Sequence, residues 1–376
     1  FIMKNVLISG GAGFIGSRLC EKLFEQGYIV TILDNLSTQI HGSDESSLLN
    51  KIKDKCIFIK GDVRNKEDWK KAINNQEIII HLAAETGTGQ SMYDIANYTE
   101  VNVMGTANML EALSDNKDKV EKIILASSRA VYGEGKYKCL KKGDFLFPSQ
   151  RLEKDLLNSN FEIKNNTNLL QSVATDESSH LNPLSIYAIN KLQQEQMVFF
   201  MGKSLGIEVA CLRYQNVYGP GQSLLNPYTG ILSVFSTRIL NNNDIDIYED
   251  GMQSRDFVYI DDVVDGTALA IEKNTNGNEI INIGSGVSTT VKDVACILKQ
   301  SYKSDIKISI SGHYRFGDIR HNFADITRAK RILDFNPKFT FNEGALHFIR
   351  WVKQQKIMQD NYDKSVDELK EKGLLK

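Results

Sequence analysis

Asn5-Val6-Leu7-Ile8-Ser9-Gly10-Gly11-Ala12-Gly13-Phe14-Ile15-Gly16 decides the fold, because an apolar run stops abruptly in four glycines within seven residues. Aliphatic residues without polar alternation predict a strand buried on both faces. Glycine is needed next because a Cβ would block a tight turn and the approach of backbone N–H groups to a pyrophosphate. The helix expected over 14–26 then turns its unpaired N–H groups and positive dipole end toward the same anion. The spacing satisfies both G-x-x-G-x-x-G from Gly10 and G-x-G-x-x-G from Gly11, in the strand–turn–helix context that gives the pattern its meaning.

Working outward, short β-rich runs at 29–34, 56–60, 78–83 and 122–127 alternate with helix-period stretches at 69–74 and 103–113. That order implies right-handed crossovers and a doubly wound parallel α/β sheet. Asp34 closes the second strand, where a carboxylate accepts hydrogen bonds from both ribose hydroxyls and repels a 2′-phosphate, so NAD is expected over NADP. Asp62, in Gly61-Asp62-Val63, offers a side chain to the adenine edge or caps a helix. Past residue 215 the pattern loosens, with Gly219-Pro220-Gly221 and short strands at 280–283 and 307–311. We expect a dinucleotide-binding domain over 3–215, a smaller α/β substrate lobe over 216–355 interleaved with it, and a charged tail over 356–376 read as a solvated terminal helix or tail.

Composition narrows the function. Forty-five Lys+Arg against 47 Asp+Glu give a net charge of −2, which leaves no footprint for nucleic acid. With 41% hydrophobic and 24% charged residues the chain is an ordinary globular protein. It shows neither a charged-then-apolar leader nor a run of about 18 apolar residues, so a cytoplasmic protein without a membrane span is expected. Five cysteines without a CxxC pair fit scattered thiols, not disulfides, and no metal site is expected.

Tyr187 and Lys191, in Ser-Ile-Tyr-Ala-Ile-Asn-Lys, share one face of the helix expected to run on to residue 200. An ammonium beside a phenol favours the phenolate and lowers a pKa of about 10, so the tyrosine can act as a base. Ser127 and Ser128 end the strand at 122–127, where ligands sit in open α/β sheets; Ser128 is the chosen hydroxyl.

Together GGAGFIG, DNLS (34–37), GDV (61–63), HLAA (81–84), SSRAVYG (127–133), YAINK (187–191) and RYQNVYGPGQ (213–222) resemble the extended short-chain dehydrogenase/reductase family of nucleotide-sugar enzymes, which carry a Rossmann fold. The resemblance implies a cofactor side made by Gly10, Gly13, Phe14, Ile15, Gly16, Asp34, Asn35, Asp62, Val63, Leu82, Ala83, Ala84, Asn102, Ser127, Tyr187 and Lys191. It implies that 81–84 lies under the pyrophosphate and nicotinamide ribose, with Asn102 propping the site. On the substrate side it implies Thr86, Ser128, Gln215 and Asn216, with Arg255 and Arg315 clamping a diphosphate and Asp318 near the nucleotide ribose. A guanidinium fork suits phosphate oxygens.

Similar dehydratases place an Asp-Glu pair immediately before Val131-Tyr132-Gly133, where this chain has Arg129 and Ala130. Dehydration thereby loses its proton carriers, and the expected reaction is NAD-dependent 4-epimerisation. The loops at 85–91 and 127–135 are most similar to a subgroup that includes dTDP-L-rhamnose 4-epimerases. A 4-keto sugar reductase, a C2 or C5 epimerase and a non-catalytic dinucleotide sensor are the alternatives. Ser128 and Tyr187 stand 59 residues apart, implying an insertion at about 136–172, either a lid or subunit contact or a passive surface excursion. The family also implies a homodimer through the helices at 102–113 and 184–200.

Overall fold

The computed structural model describes residues 4–42, 47–115, 119–165, 168–228, 230–273 and 277–376. Residue 3 of the expected first domain and residues 166–167 of the insertion lie outside them. Seven strands form the central sheet: β1 (Asn5–Ser9), β2 (Ile29–Asp34), β3 (Ile57–Lys60), β4 (Ile78–His81), β5 (Lys122–Ser128), β6 (Glu208–Tyr214) and β7 (Glu279–Ile283). Their order is 3-2-1-4-5-6-7 and every pairing is parallel, a doubly wound Rossmann sheet whose strand order reverses between β1 and β4.

The unbroken apolar runs are explained by two cores. Val6 and Ile8 of β1 and Ile78 and Ile80 of β4 enter one; Leu7 and Ile79, pointing to the opposite face, enter the other. Helix Phe14–Glu25 buries Leu19, Cys20 and Leu23. It is tied to helix Ile260–Glu272 by Arg18–Asp261 at 2.8 Å and Lys22–Asp265 at 2.7 Å.

Two features depart from the expectations. The strand expected at 280–283 is β7, paired with β6 at the edge of the main sheet and not part of the smaller lobe. That lobe instead builds a sheet from Asn216–Tyr218, Ser254–Tyr259, Ser288–Thr290 and His321–Asn322. The tail forms the expected terminal helix, but one face of it is not solvated. Helix Tyr362–Glu371 buries Ser365 and Leu369, and Glu368 accepts hydrogen bonds from the Tyr93 and Tyr228 hydroxyls. The following residues add a short ladder, Tyr314 N–H to Lys376 at 2.8 Å and Phe316 N–H to Leu374 at 2.8 Å. Charge covers the outer face of this helix while its apolar residues pack inward, which a high average charge conceals.

The insertion is a four-stranded antiparallel sheet of Phe145–Leu146, Tyr137–Cys139, Asn168–Ser172 and Lys164–Asn165. Tyr137, Cys139, Ile163 and Leu170 form its small core. Arg151 moors it to the lobe through Glu249 at 2.7 Å and the Asp318 carbonyl at 2.9 Å.

Candidate active site

A cavity of about 610 Å³ opens at the carboxyl ends of the strands and runs from the glycine turn to Arg315 and Asp318. Gly10, Gly13, Phe14, Ile15, Gly16, Asp34, Asn35, Val63, Leu82, Ala83, Ala84 and Ser127 line one end. Thr86, Ser128, Gln215, Asn216, Arg255, Arg315 and Asp318 line the other, with Tyr187 and Lys191 at the junction. The turn is a cradle that side chains would fill: a Cβ on Gly10 would stand 2.7 Å from the Ala83 nitrogen, and one on Gly16 2.5 Å from the Gly10 carbonyl. Asp34 accepts from the N–H groups of Ala12 (3.0 Å) and Leu36 (2.9 Å), which fixes its carboxylate at the cavity edge. These residues fit a dinucleotide.

Two expected cofactor residues are not in the wall. Asp62 accepts from the Arg64 guanidinium (2.8 and 3.0 Å) and the Asn35 amide (3.0 Å), and this holds its pKa down at about 2. Nor does Asp62 cap a helix: Asn65 caps Lys66–Ile73, accepting the Glu67 N–H. Asn102 is fully buried in the π-turn Glu100–Met104, where its amide accepts from the Glu85 N–H (2.9 Å) and donates to the Glu85 carbonyl (3.1 Å). It shapes the loop after β4 without lining the cavity.

Ser128 ends β5 and caps the 3₁₀ turn Arg129–Tyr132, accepting the Ala130 N–H at 3.1 Å. Tyr187 occupies the first turn of helix Ile186–Leu205, whose cap is Ser185. Burial raises the Tyr187 pKa, while the nearby Ser128 hydroxyl and the charge of Arg129 oppose that rise. This corrects the expectation of a phenol lowered by Lys191. The Lys191 ammonium lies 5.9 Å from the Tyr187 ring centre and donates to the Ala126 carbonyl at 2.8 Å. Sharing a helix face brought the two near, but a buried ammonium takes the nearest acceptor. Burial also pulls Lys191 down to about 8, against the opposing charge of Glu195.

Beneath these groups lies a layer that was not anticipated. The Arg213 guanidinium meets both Glu195 oxygens, at 2.9 and 2.7 Å, and Ser127 donates to the same carboxylate. The signal existed, since Tyr187, Lys191 and Glu195 follow one another at four-residue intervals. His81 is fully buried below the wall, bonded to Ser9 at 2.6 Å and Thr106 at 3.0 Å.

Burial, with the charge of Lys191, lowers the His81 pKa from 6.5 to about 3. The unfolded chain therefore binds this proton more readily. Its stability contribution is complete above pH 6.5 and is lost as pH falls toward 3. Urea midpoints across that window should decline, with a limiting slope of about 1.4 kcal/mol per pH unit from this one group. In His81→Asn that part of the slope should vanish.

At the far end Arg315 pairs with Asp318 at 3.0 Å. The Arg255 η nitrogens donate to the carbonyls of Ser254, Ile319 and Arg320. Arg315 is thus held in a partly exposed ion pair, while Arg255, among the described residues, is in none. Both polar atoms of the buried Gln215 side chain lack partners, so a buried amide is left at the cavity wall. Tyr362, Ser365, Val366 and Leu369 of the C-terminal helix close this end, unforeseen from sequence. No described residue of the insertion lines the cavity; it buttresses Asp318 from behind.

The chain is 35% identical over 354 residues to dTDP-L-rhamnose 4-epimerase of Burkholderia thailandensis, covering 94% of this chain and 96% of that one. It is similar in structure to UDP-glucose 4-epimerase of Thermotoga maritima with UDP-glucose, with a TM-score of 0.76 at 30% identity over 93% of this chain and 99% of that one. A UDP-glucuronic acid 4-epimerase from Bacillus cereus, in complex with UDP-glucuronic acid and NAD, gives a TM-score of 0.75 at 28% identity, covering 93% and 99%. The sequence model of the NAD dependent epimerase/dehydratase family matches residues 6–150 and 163–284, and with the fold and glycine cradle in agreement the chain belongs to that family.

Proposed function

We propose that the protein is an NAD-dependent nucleotide-sugar 4-epimerase, with dTDP-L-rhamnose as the best-supported substrate. One observation carries the reading. Ser128, Tyr187 and Lys191 line one cavity continuous with the glycine cradle, while the two positions before Val131, Arg129 and Ala130, hold no carboxylate. The names of the three relatives given above, each a 4-epimerase of a nucleotide sugar, support it.

NAD, when bound, supplies reversible hydride transfer at the sugar C4. Tyr187, as the phenolate, takes the proton of the C4 hydroxyl and later returns it to the C4 oxygen, while the hydride comes back to the opposite face of C4. Ser128 donates to the oxygen that becomes a carbonyl, stabilising it where charge develops. Lys191, charged below about pH 8, keeps a positive charge beneath the phenol. A 4-keto sugar that turns over in the cavity before reduction emerges with C4 inverted. Gly10, Gly13 and Gly16 give NAD its pyrophosphate seat, and Asp34 reads its ribose. On the substrate side Gln215 and Asn216 meet the sugar nucleotide, Thr86 faces the hexose, and Arg255, Arg315 and Asp318 serve the nucleotide half.

The test is incubation with dTDP-L-rhamnose and UDP-glucose in deuterated water without added reductant, read by proton NMR. A C4 epimer lacking deuterium at C4 is expected. Turnover that begins only when reduced cofactor and a 4-keto sugar are added would replace epimerase by reductase.

We also propose a homodimer through helices Gly105–Asp115 and Ile186–Leu205. Ala107, Leu110, Met197, Phe200 and Met201 form an apolar patch across them, and Phe200 is 76% exposed. Phe200→Glu should convert a dimer to a monomer by light scattering; a wild-type monomer at micromolar concentration would overturn this. Among the described residues no helix is long and apolar enough to cross a membrane, and this, with five free cysteines, supports a cytoplasmic setting.

A further inference from the structure

Three arginines line the cavity, and their surroundings differ. Arg315 is neutralised by Asp318. The η nitrogens of Arg255 are engaged by three main-chain carbonyls. Arg129 uses its Nε alone, donating to the Asn216 side-chain Oδ1 at 3.2 Å, and among the described residues no carboxylate approaches it within ion-pair distance. The two carboxylates whose charge reaches it are already taken: Asp318 by Arg315, and Glu134 by Arg151 (3.4 Å) and the Arg320 N–H (2.7 Å). Arg129 is thus a deeply set cation with a free fork, next in chain to Ser128 and drawn toward Asn216.

We propose that Arg129 is a substrate-binding residue whose η nitrogens grip the hexose-bearing phosphate of a nucleoside diphosphate sugar, between the reacting hydroxyl groups and Arg255. The assignment rests on the nucleotide-sugar reading above. Burial and the like charge of Arg255 pull the Arg129 pKa down to about 9, and the carboxylates that act on both cations, Asp318 and Glu134, are engaged by Arg315 and Arg151. A diphosphate relieves both, and a guanidinium fork matches phosphate oxygens in two parallel hydrogen bonds.

The test is calorimetric titration of the NAD-loaded protein with dTDP, UDP and the corresponding monophosphates. Arg129→Gln should weaken the diphosphate that binds wild type by about 10- to 100-fold while changing its monophosphate by less than about threefold. Arg129→Lys should recover part of the loss. Both variants should retain NAD and melt with the wild type. Equal diphosphate affinity in all three proteins, or equal loss for mono- and diphosphates, overturns the assignment. So does a variant altered in kcat with diphosphate binding unchanged. Wild type that binds diphosphates but converts no sugar would end the epimerase reading and leave Arg129 in place.

Discussion

Tyr187→Phe should lower kcat by about 10²- to 10⁴-fold, the range for removing a positioned acid–base group. The substitution deletes one oxygen from a buried ring and leaves the Ser185-capped helix and Lys191 untouched. NAD retention and melting temperature should therefore stay close to wild type. A KM that holds while kcat collapses would place the loss in the transition state and not in substrate binding. A variant within tenfold of wild type would remove Tyr187 from the proton-transfer role.

Glu195→Ala should be the most damaging substitution beneath the site. It leaves Arg213, 1% exposed, without its carboxylate and takes the acceptor from Ser127. Breaking a buried pair by removing one partner costs about 3–5 kcal/mol, and the Arg213 Nη1, already without a partner, offers no compensation. Stacking of Arg213 on Tyr132, at 4.7 Å, recovers a fraction. The urea midpoint should fall accordingly.

A second readout concerns Lys191, whose charge Glu195 supports. Without that carboxylate the ammonium loses its proton below about pH 8, so the alkaline limb of kcat should move to lower pH. Glu195→Gln, which keeps the shape, tests this where the alanine variant does not fold. An alkaline limb fixed in both variants would show that Lys191 does not govern it.

The parts of the protein legible in its sequence are those built from neighbours in the chain. The β1 strand was bounded at residues 5 and 9 as observed, because an apolar run meeting glycines has one reading. The helix carrying Tyr187 and Lys191 continues to Leu205, past the expected residue 200. Asn102 fell on the intended support of the site, yet inside a π-turn that no local pattern announced. The C-terminal helix was expected, but its packing was missed because its charge is what an average registers, while Leu369 and Ser365 meet a cavity made elsewhere.

The sequence by itself determined the parallel α/β fold and the glycine turn, and it singled out the hydroxyl, phenol and ammonium that the structure brings into one cavity. Each rests on glycine spacing, helical period or strand ends, which act over a few residues. Only the tertiary structure decided that Lys191 serves a carbonyl, that Glu195 neutralises Arg213 and that Arg129 keeps a free fork. Those outcomes depend on which charges become neighbours once strands and loops far apart in the chain converge. Their energies are set by burial there, where an unpaired charge is costly and a paired one is silent.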